Sequence, residues 1–224
     1  MTHIYIVRHA EVIYPLDEQG RKLMYPPETP ISQEGIKQFT AFARQLKQKR
    51  IKLDAIVTSL FTRATQTAQI LTDVLGVKEY KEEPAFSDSY VPGWIGIPLS
   101  EQQRLMDQGT DIYENPRSSD QEPYKHIAAR MFRGYRGLVN RYPGKSVALV
   151  SHGDPIRLLM HRINYPEGQI PNMSILSKEG YLKRGEVLRV EADESGKVLE
   201  TELMTNLEGR VGERESYIDK PPVK

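Results

Sequence analysis

Arg8-His9 stands at the end of a short apolar run, and Arg63 and His152 follow two further runs of the same kind. An imidazole is a nucleophile or proton carrier near neutral pH. A guanidinium grips two phosphate oxygens at once and never loses its charge. Two arginines and two histidines gathered at three strand ends are therefore the parts of a phosphate-handling site. Singly, each has a plainer explanation: an Arg-His pair carries little information, Arg63 suits a solvated helix surface, and His152 suits a core histidine bonded to a carbonyl. Their shared position is what points to phosphate, because ligands of open α/β sheets bind at the carboxyl ends of the strands. Two of the three places also open a helix, whose free N–H groups and positive dipole end favour an anion.

The elements that must position these groups follow from the hydrophobic pattern. Ile4 to Val7, Asp54 to Val57 and Ser146 to Val150 are short apolar runs suited to buried strands. Ser32 is an N-cap for a helix with Ile36, Phe39, Ala43 and Leu46 on one face and a basic end at Lys47, Lys49 and Arg50. Thr62 caps the next, with Ala64, Ala68, Leu71 and Leu75 inward, and together these segments have the βαβ rhythm of an α/β sheet. A long helix carries Ile127, Met131, Tyr135, Leu138 and Tyr142; its start is ambiguous between a Ser119/Glu122 capping box and Pro123 in the first helical position. Asp154 caps and Pro155 starts a helix with Ile156, Leu159, Met160 and Ile163 inward. Ser174 to Leu176, Val187 to Val190 and Val198 to Leu203 read as strands, the last two joined by a turn at Asp193 to Gly196. Prolines and glycines make residues 14 to 31 a long loop and weaken the pattern from Lys78 to Asn115 to loop and short helix.

Composition narrows the class. The 224 residues hold 31 Lys and Arg against 30 Asp and Glu, interspersed, so no global field would hold the protein on nucleic acid or an anionic membrane. There is no cysteine, which removes disulfides, thiolate metal sites and cysteine nucleophiles together. No leader and no spanning segment is visible, so the expectation is a cytoplasmic protein. One domain over 1–207 with a polar tail over 208–224 is expected, and self-association into a homo-oligomer is left open.

Val7-Arg8-His9-Ala10-Glu11, Ser59-Leu60-Phe61-Thr62-Arg63-Ala64-Thr65-Gln66-Thr67-Ala68 and Val150-Ser151-His152-Gly153-Asp154-Pro155 resemble, in order and spacing, the three core motifs of the histidine phosphatase superfamily, in its phosphoglycerate mutase-like branch. Ile31-Ser32-Gln33-Glu34-Gly35 is similar to the stretch that begins that family's first helix. The resemblance implies a three-layer α/β/α sandwich with a mostly parallel sheet. It also implies a phosphoric monoester hydrolase in which His9 is the nucleophile, Arg8, Arg63, His152 and Gly153 hold the phosphate, and neither cofactor nor metal is required. His152 would act as a protonated donor.

The family's general acid is usually a Glu six residues ahead of a Trp, which places it here at Asp88, six ahead of Trp94, one methylene shorter than usual. Glu82 and Glu83 are the alternatives. The asparagine that many members place after the Arg-His motif has no counterpart in Val12-Ile13-Tyr14-Pro15, where a backbone contact or Tyr14 takes its place. The long insertion of the glycolytic mutases is also missing, which favours hydrolysis over phosphoryl transfer back to a bound acceptor. A phosphate-binding module without turnover is the remaining alternative. The partner expected is a small phosphorylated substrate or a phosphoprotein, bounded by rim segments 14 to 31 and 87 to 118 with Tyr14, Tyr25, Tyr90, Trp94 and Tyr113.

Overall fold

The computed structural model describes residues 1–184 and 186–204. Six strands form one sheet: β1 (Thr2–Arg8), β2 (Ala55–Thr58), β3 (Tyr80–Glu82), β4 (Ser146–Ser151), β5 (Val187–Ala192) and β6 (Val198–Met204), in the order β3-β2-β4-β1-β5-β6. The first four in that order are mutually parallel, and β5 and β6 are added antiparallel. Helices cover both faces because the strand residues alternate. Ile4, Ile6, Val147 and Leu149 pack with Ile127, Met131 and Tyr135 of α4 (Tyr124–Arg141) and Ile156 and Leu159 of α5 (Gly153–Asn164). Val7, Ala148 and Val150 face Phe39, Phe42 and Leu46 of α1 (Gln33–Gln48) and Ala64, Ala68 and Leu71 of α2 (Thr62–Leu75). The expected three-layer α/β/α sandwich with a mostly parallel sheet is the observed fold.

β1 and β4 lie side by side, yet their chains leave in opposite directions: β1 leads through α1 to β2, β4 leads on to β5 across β1. This switch opens a crevice at the carboxyl ends of the two central strands. Arg8 and His9 leave β1 there, and His152 leaves β4, with the His9 N–H bonded to Ser151 O at 3.0 Å and the Ser59 N–H to Val150 O at 3.1 Å.

The structure changes several local expectations. Ser174 to Leu176 is not a strand but α6 (Met173–Leu176): Asn172 caps it by accepting from the Ile175 N–H, and buried Asp111 accepts from the Met173 and Ser174 N–H groups. An apolar run this short has no periodicity of its own, so these caps decide it. Thr62 is the first residue of α2 rather than its cap; Phe61 holds that place without a side-chain bond. His152 is the cap residue of α5, and the Asp154 side chain turns away to two tyrosines instead of capping. Pro123 precedes α4 at its cap, and Glu122 pairs with Arg130 rather than forming a capping box. Tyr142 and Ile36 are less buried than their spacing suggested. Between 78 and 115 lie β3 and α3 (Leu99–Asp107), the strand being too short and too exposed to show in the sequence. The expected tail over 208–224 and Gly185 lie outside the described residues. Among those described, no helix is long and apolar enough to cross a membrane.

Candidate active site

The strand-end residues meet. Arg8, His9, Arg63 and His152 are each at least 97 % buried as residues, with exposures of 3, 1, 2 and 0 %, and the His9 and His152 rings lie 5.1 Å apart between centroids. His9 Nδ1 is 2.7 Å from the Ala10 carbonyl oxygen. A carbonyl only accepts, so Nδ1 carries the proton and Nε2 presents its lone pair. Burial pushes His9 well below the usual imidazole range, and the charges of His152, Arg63, Arg184 and Arg8 push it further. The ring is therefore neutral, with Nε2 bare.

Thr67 holds this loop to α2: its hydroxyl donates to Arg63 O at 2.6 Å and accepts from the Ala10 N–H at 3.0 Å. Gly35 lets α1 approach from the other side, since a Cβ there would stand 2.5 Å from Glu11 O.

Arg63 lies between the Tyr25 and Phe61 rings, its guanidinium carbon 4.9 Å from each centroid. Its Nη1 donates to Pro26 O, its Nε to His152 Nδ1 at 3.2 Å, and its Nη2 to Asp88 Oδ2 at 2.6 Å. The other ring nitrogen, His152 Nε2, lies 2.7 Å from Ser59 Oγ. Burial lowers His152 to about 3; Asp88 opposes this, and the charges of Arg63 and Arg8 add to it. The protein without ligand thus holds His152 neutral, because burying a cation between two arginines is costly; the protonated donor expected from the sequence belongs to the phosphate-bound state.

Asp88 Oδ2 lies 2.6 Å from Arg63 and 3.2 Å from His152 Nδ1. Burial raises its pKa, but the charges of His152 and Arg63 and the bonds from Arg63 and the Ser89 N–H outweigh it, so the carboxyl lies below its ordinary range. Arg63 is permanently charged, so Asp88 is ionised here whatever the state of His152. Arg130 fixes the segment carrying Asp88: it donates to Ala85 O, Ser87 O and Asp88 O at 2.9, 2.7 and 3.0 Å while gripping Glu122. Glu82 and Glu83 lie elsewhere; Glu82 is exposed at the end of β3 and Glu83 lies 3.6 Å from Arg141.

Gly153 is small for a reason of space: a Cβ there would lie 3.3 Å from the Arg8 guanidinium. Beyond the arginines and histidines, an open cleft is walled by Met24, Tyr25, Tyr90, Val91, Ile95, Leu99, Ile112 and Tyr113. Its two rim segments are joined, with Leu23 bridging Pro98 and the Met24 N–H bonded to Ile97 O at 2.8 Å. Trp94 is buried beneath Arg117 rather than on the rim, and Tyr14 packs edge-on against Tyr25 and accepts from Arg184. Sequence reasoning missed Asp154, Arg130 and Arg184. The only available signal was for Asp154, which lies two residues after His152. Among the described residues no three His, Asp or Glu side chains are arranged to hold a metal.

A sequence profile of the histidine phosphatase superfamily (branch 1) matches residues 4–200. The chain belongs to this superfamily. It is similar to the uncharacterized phosphatase PhoE of Bacillus subtilis (strain 168), with 25% identity over 177 residues that cover 79% of this chain and 85% of that one. Family and named relatives together make the chain a histidine phosphatase, of the phosphoric monoester hydrolase class. Its fold is shared by YhfR of Bacillus stearothermophilus, at TM-score 0.70 and 20% identity over 98% of this chain and 100% of that one. A phosphoserine phosphatase from Entamoeba histolytica, solved with 3-phosphoglyceric acid, has the same fold at TM-score 0.63 and 20% identity, over 92% and 98% of the two chains.

Proposed function

We propose that this histidine phosphatase hydrolyses a phosphomonoester through a phosphohistidine on His9, with Asp88 as the proton donor to the leaving oxygen. The observation that carries the reading is the state of His9: neutral, buried, with Nδ1–H tied to Ala10 O and Nε2 bare among arginines. In-line attack by Nε2 needs little beyond position and charge stabilisation, which Arg8, Arg63, the α5 N-terminus at Gly153 and a His152 protonated by the incoming dianion supply. Substrate phosphate takes over the Arg63 and His152 contacts that Asp88 makes in the free protein. Deprived of both, and faced with a dianion, Asp88 gains a proton and becomes the acid.

Support for hydrolysis comes from the absence of the mutase insertion in the sequence. The apolar walls suit an uncharged portion of a small phosphorylated metabolite or of a phosphoprotein side chain. The experiment is steady-state phosphate release from aryl and alkyl phosphates, without bisphosphoglycerate, for wild type and His9→Ala, together with rapid-quench trapping of labelled enzyme. Release and an acid-labile phosphoenzyme, both lost in His9→Ala, are expected. Equal inertness of the two proteins would leave only a phosphate-binding module.

A further inference from the structure

The positive charge of the cleft is all at one end. Among the described residues that line it, Arg8 and Arg63 are the only Lys or Arg side chains, and the reading above commits both to the phosphoryl group. The four basic residues on the two rim segments are engaged outside the cleft. Arg21 pairs with Asp17 at 2.6 Å and Arg104 with Glu101 at 2.7 Å, while Lys22 lies 4.1 Å from the Tyr14 ring centroid and Arg117 4.2 Å from that of Trp94. The two ionisable carboxyls on the lining, Asp88 and Asp154, add charge of the opposite sign.

The wall beyond is apolar and packed. Val91 and Ile112 belong, with Trp94 and Leu105, to a hydrophobic cluster separate from the cores on the two sheet faces, and Met24 and Tyr113 pack against it. The Leu23–Pro98 bridge and the bond from the Met24 N–H to Ile97 O tie the two rim segments over this cluster, so the wall is formed before substrate arrives. Ile95 and Tyr90, 41 and 47 % exposed, carry the same surface to the mouth. An uncharged apolar group laid on this wall gains by leaving water. A carboxylate or second phosphate laid there gives up its hydration and meets no cation in return. We infer that the cleft selects phosphomonoesters whose leaving group is uncharged and apolar and turns away those whose leaving group is itself anionic, the wall of Val91, Ile95 and Ile112 being the specificity-determining surface. This inference rests on the reading of His9 given above and names the substrate class of that site.

Asp154 sharpens the discrimination. Tyr113 and Tyr181 donate to its two oxygens at 2.6 and 2.9 Å, which fixes the carboxyl in the lining. Burial raises it to about 6; the Tyr113 and Tyr181 hydroxyls oppose this, and the Asp88 and Asp111 charges add to it. The other charged groups facing this corner are Arg8, whose guanidinium lies against Gly153 and 5.9 Å from the Tyr181 ring, and Arg157, which is coupled to Tyr181. Above pH 6 the carboxyl is therefore ionised in the free protein, and an anionic leaving group meets like charge as well as an apolar wall.

The test measures kcat/KM at pH 8 for benzyl, 4-carbamoylbenzyl and 4-carboxybenzyl phosphate. The three leaving groups are alcohols of similar acidity, and the last two match in size and differ in charge. Wild type should hydrolyse benzyl phosphate best and the carboxylate at least about tenfold more slowly than the carbamoyl ester. Ile95→Lys, which puts a cation on an exposed part of the wall, should narrow the gap between carboxylate and carbamoyl esters by about fivefold or more. Equal or better turnover of the carboxylate by wild type overturns the inference, and this comparison needs no variant to fold. A gap that a folded Ile95→Lys leaves unchanged overturns the assignment to this wall. If none of the three esters, nor phenyl phosphate, is hydrolysed in a His9-dependent way, the reading above fails with it; a His9-dependent enzyme that is indifferent to the carboxylate sinks the substrate class alone.

Discussion

In the proposed mechanism Asp88 would act as both competitor and acid, since in the free protein it holds the Arg63 contact that substrate phosphate would take. Removing its charge separates the two roles. Asp88→Asn should bind inorganic phosphate or vanadate more tightly, by roughly tenfold if one charge-assisted contact is freed, while its rate on phenyl phosphate falls by about 10²–10⁴. Inhibition constants and turnover measured side by side check this; weaker phosphate binding in the variant would contradict the displacement. Asp154 makes a second, independent prediction about stability. Its folded pKa of about 6 lies above the ordinary value of about 3.9 for an unfolded chain. Its protonated form therefore favours folding fully below pH 4, and that contribution is lost as pH rises through 6. Asp154→Asn should raise the unfolding midpoint relative to wild type more at pH 8 than at pH 5, by a few degrees or roughly that order, in scanning calorimetry.

At the scale of elements, α4 is what fixes the segment carrying Asp88, the proposed acid. Arg130 spends its guanidinium on three carbonyls of residues 85–88, and one turn on, Gly134 lets the same segment lie against the helix: a Cβ there would stand 2.8 Å from the Phe86 ring and 2.9 Å from Ala85 Cβ. Arg130→Lys keeps the charge but loses the fork, so kcat should drop by roughly tenfold to a hundredfold with helix content unchanged by circular dichroism. Gly134→Ala should lower both kcat and the unfolding midpoint. Gly137→Ala, on the same helix with nothing within 4 Å, should instead stabilise by about 0.5–1 kcal/mol in denaturant titration. A loss of activity in the second variant equal to that in the first would show that the clash is not the cause.

For the molecule as a whole, the sheet order decides which residues can cooperate. Arg8-His9 and His152 belong to neighbouring strands only because β4 returns between β2 and β1 after β3 has been laid down at the edge. Arg63 arrives at the head of α2 next to β2, and Asp88 arrives in the segment after β3, tied to β4 by the Ser151 hydroxyl donating to Phe86 O at 2.8 Å. Each site residue therefore sits just after a parallel strand, and one end of the sheet collects them all.

Much of this was legible along the chain, for physical reasons. Apolar runs such as Ser146 to Val150 mark strands buried on both faces, and the Arg, His and Gly that break them mark the edge where ligands bind, so the fold class, the family resemblance and the residues His9, Arg8, Arg63 and His152 could be named from order and spacing. The short, exposed β3 and the four-residue α6 left no periodicity to read. What only the tertiary structure decided is protonation and reach. His152 is neutral because burial and two arginines outweigh Asp88; Asp88 is ionised because Arg63, 25 positions away, meets it at 2.6 Å. Asp154, which looked like a helix cap, instead joins Tyr113, 41 positions before it. Charges interact through space and burial, so their state follows from who is near in three dimensions, while the residues able to carry the chemistry are already fixed by the sequence.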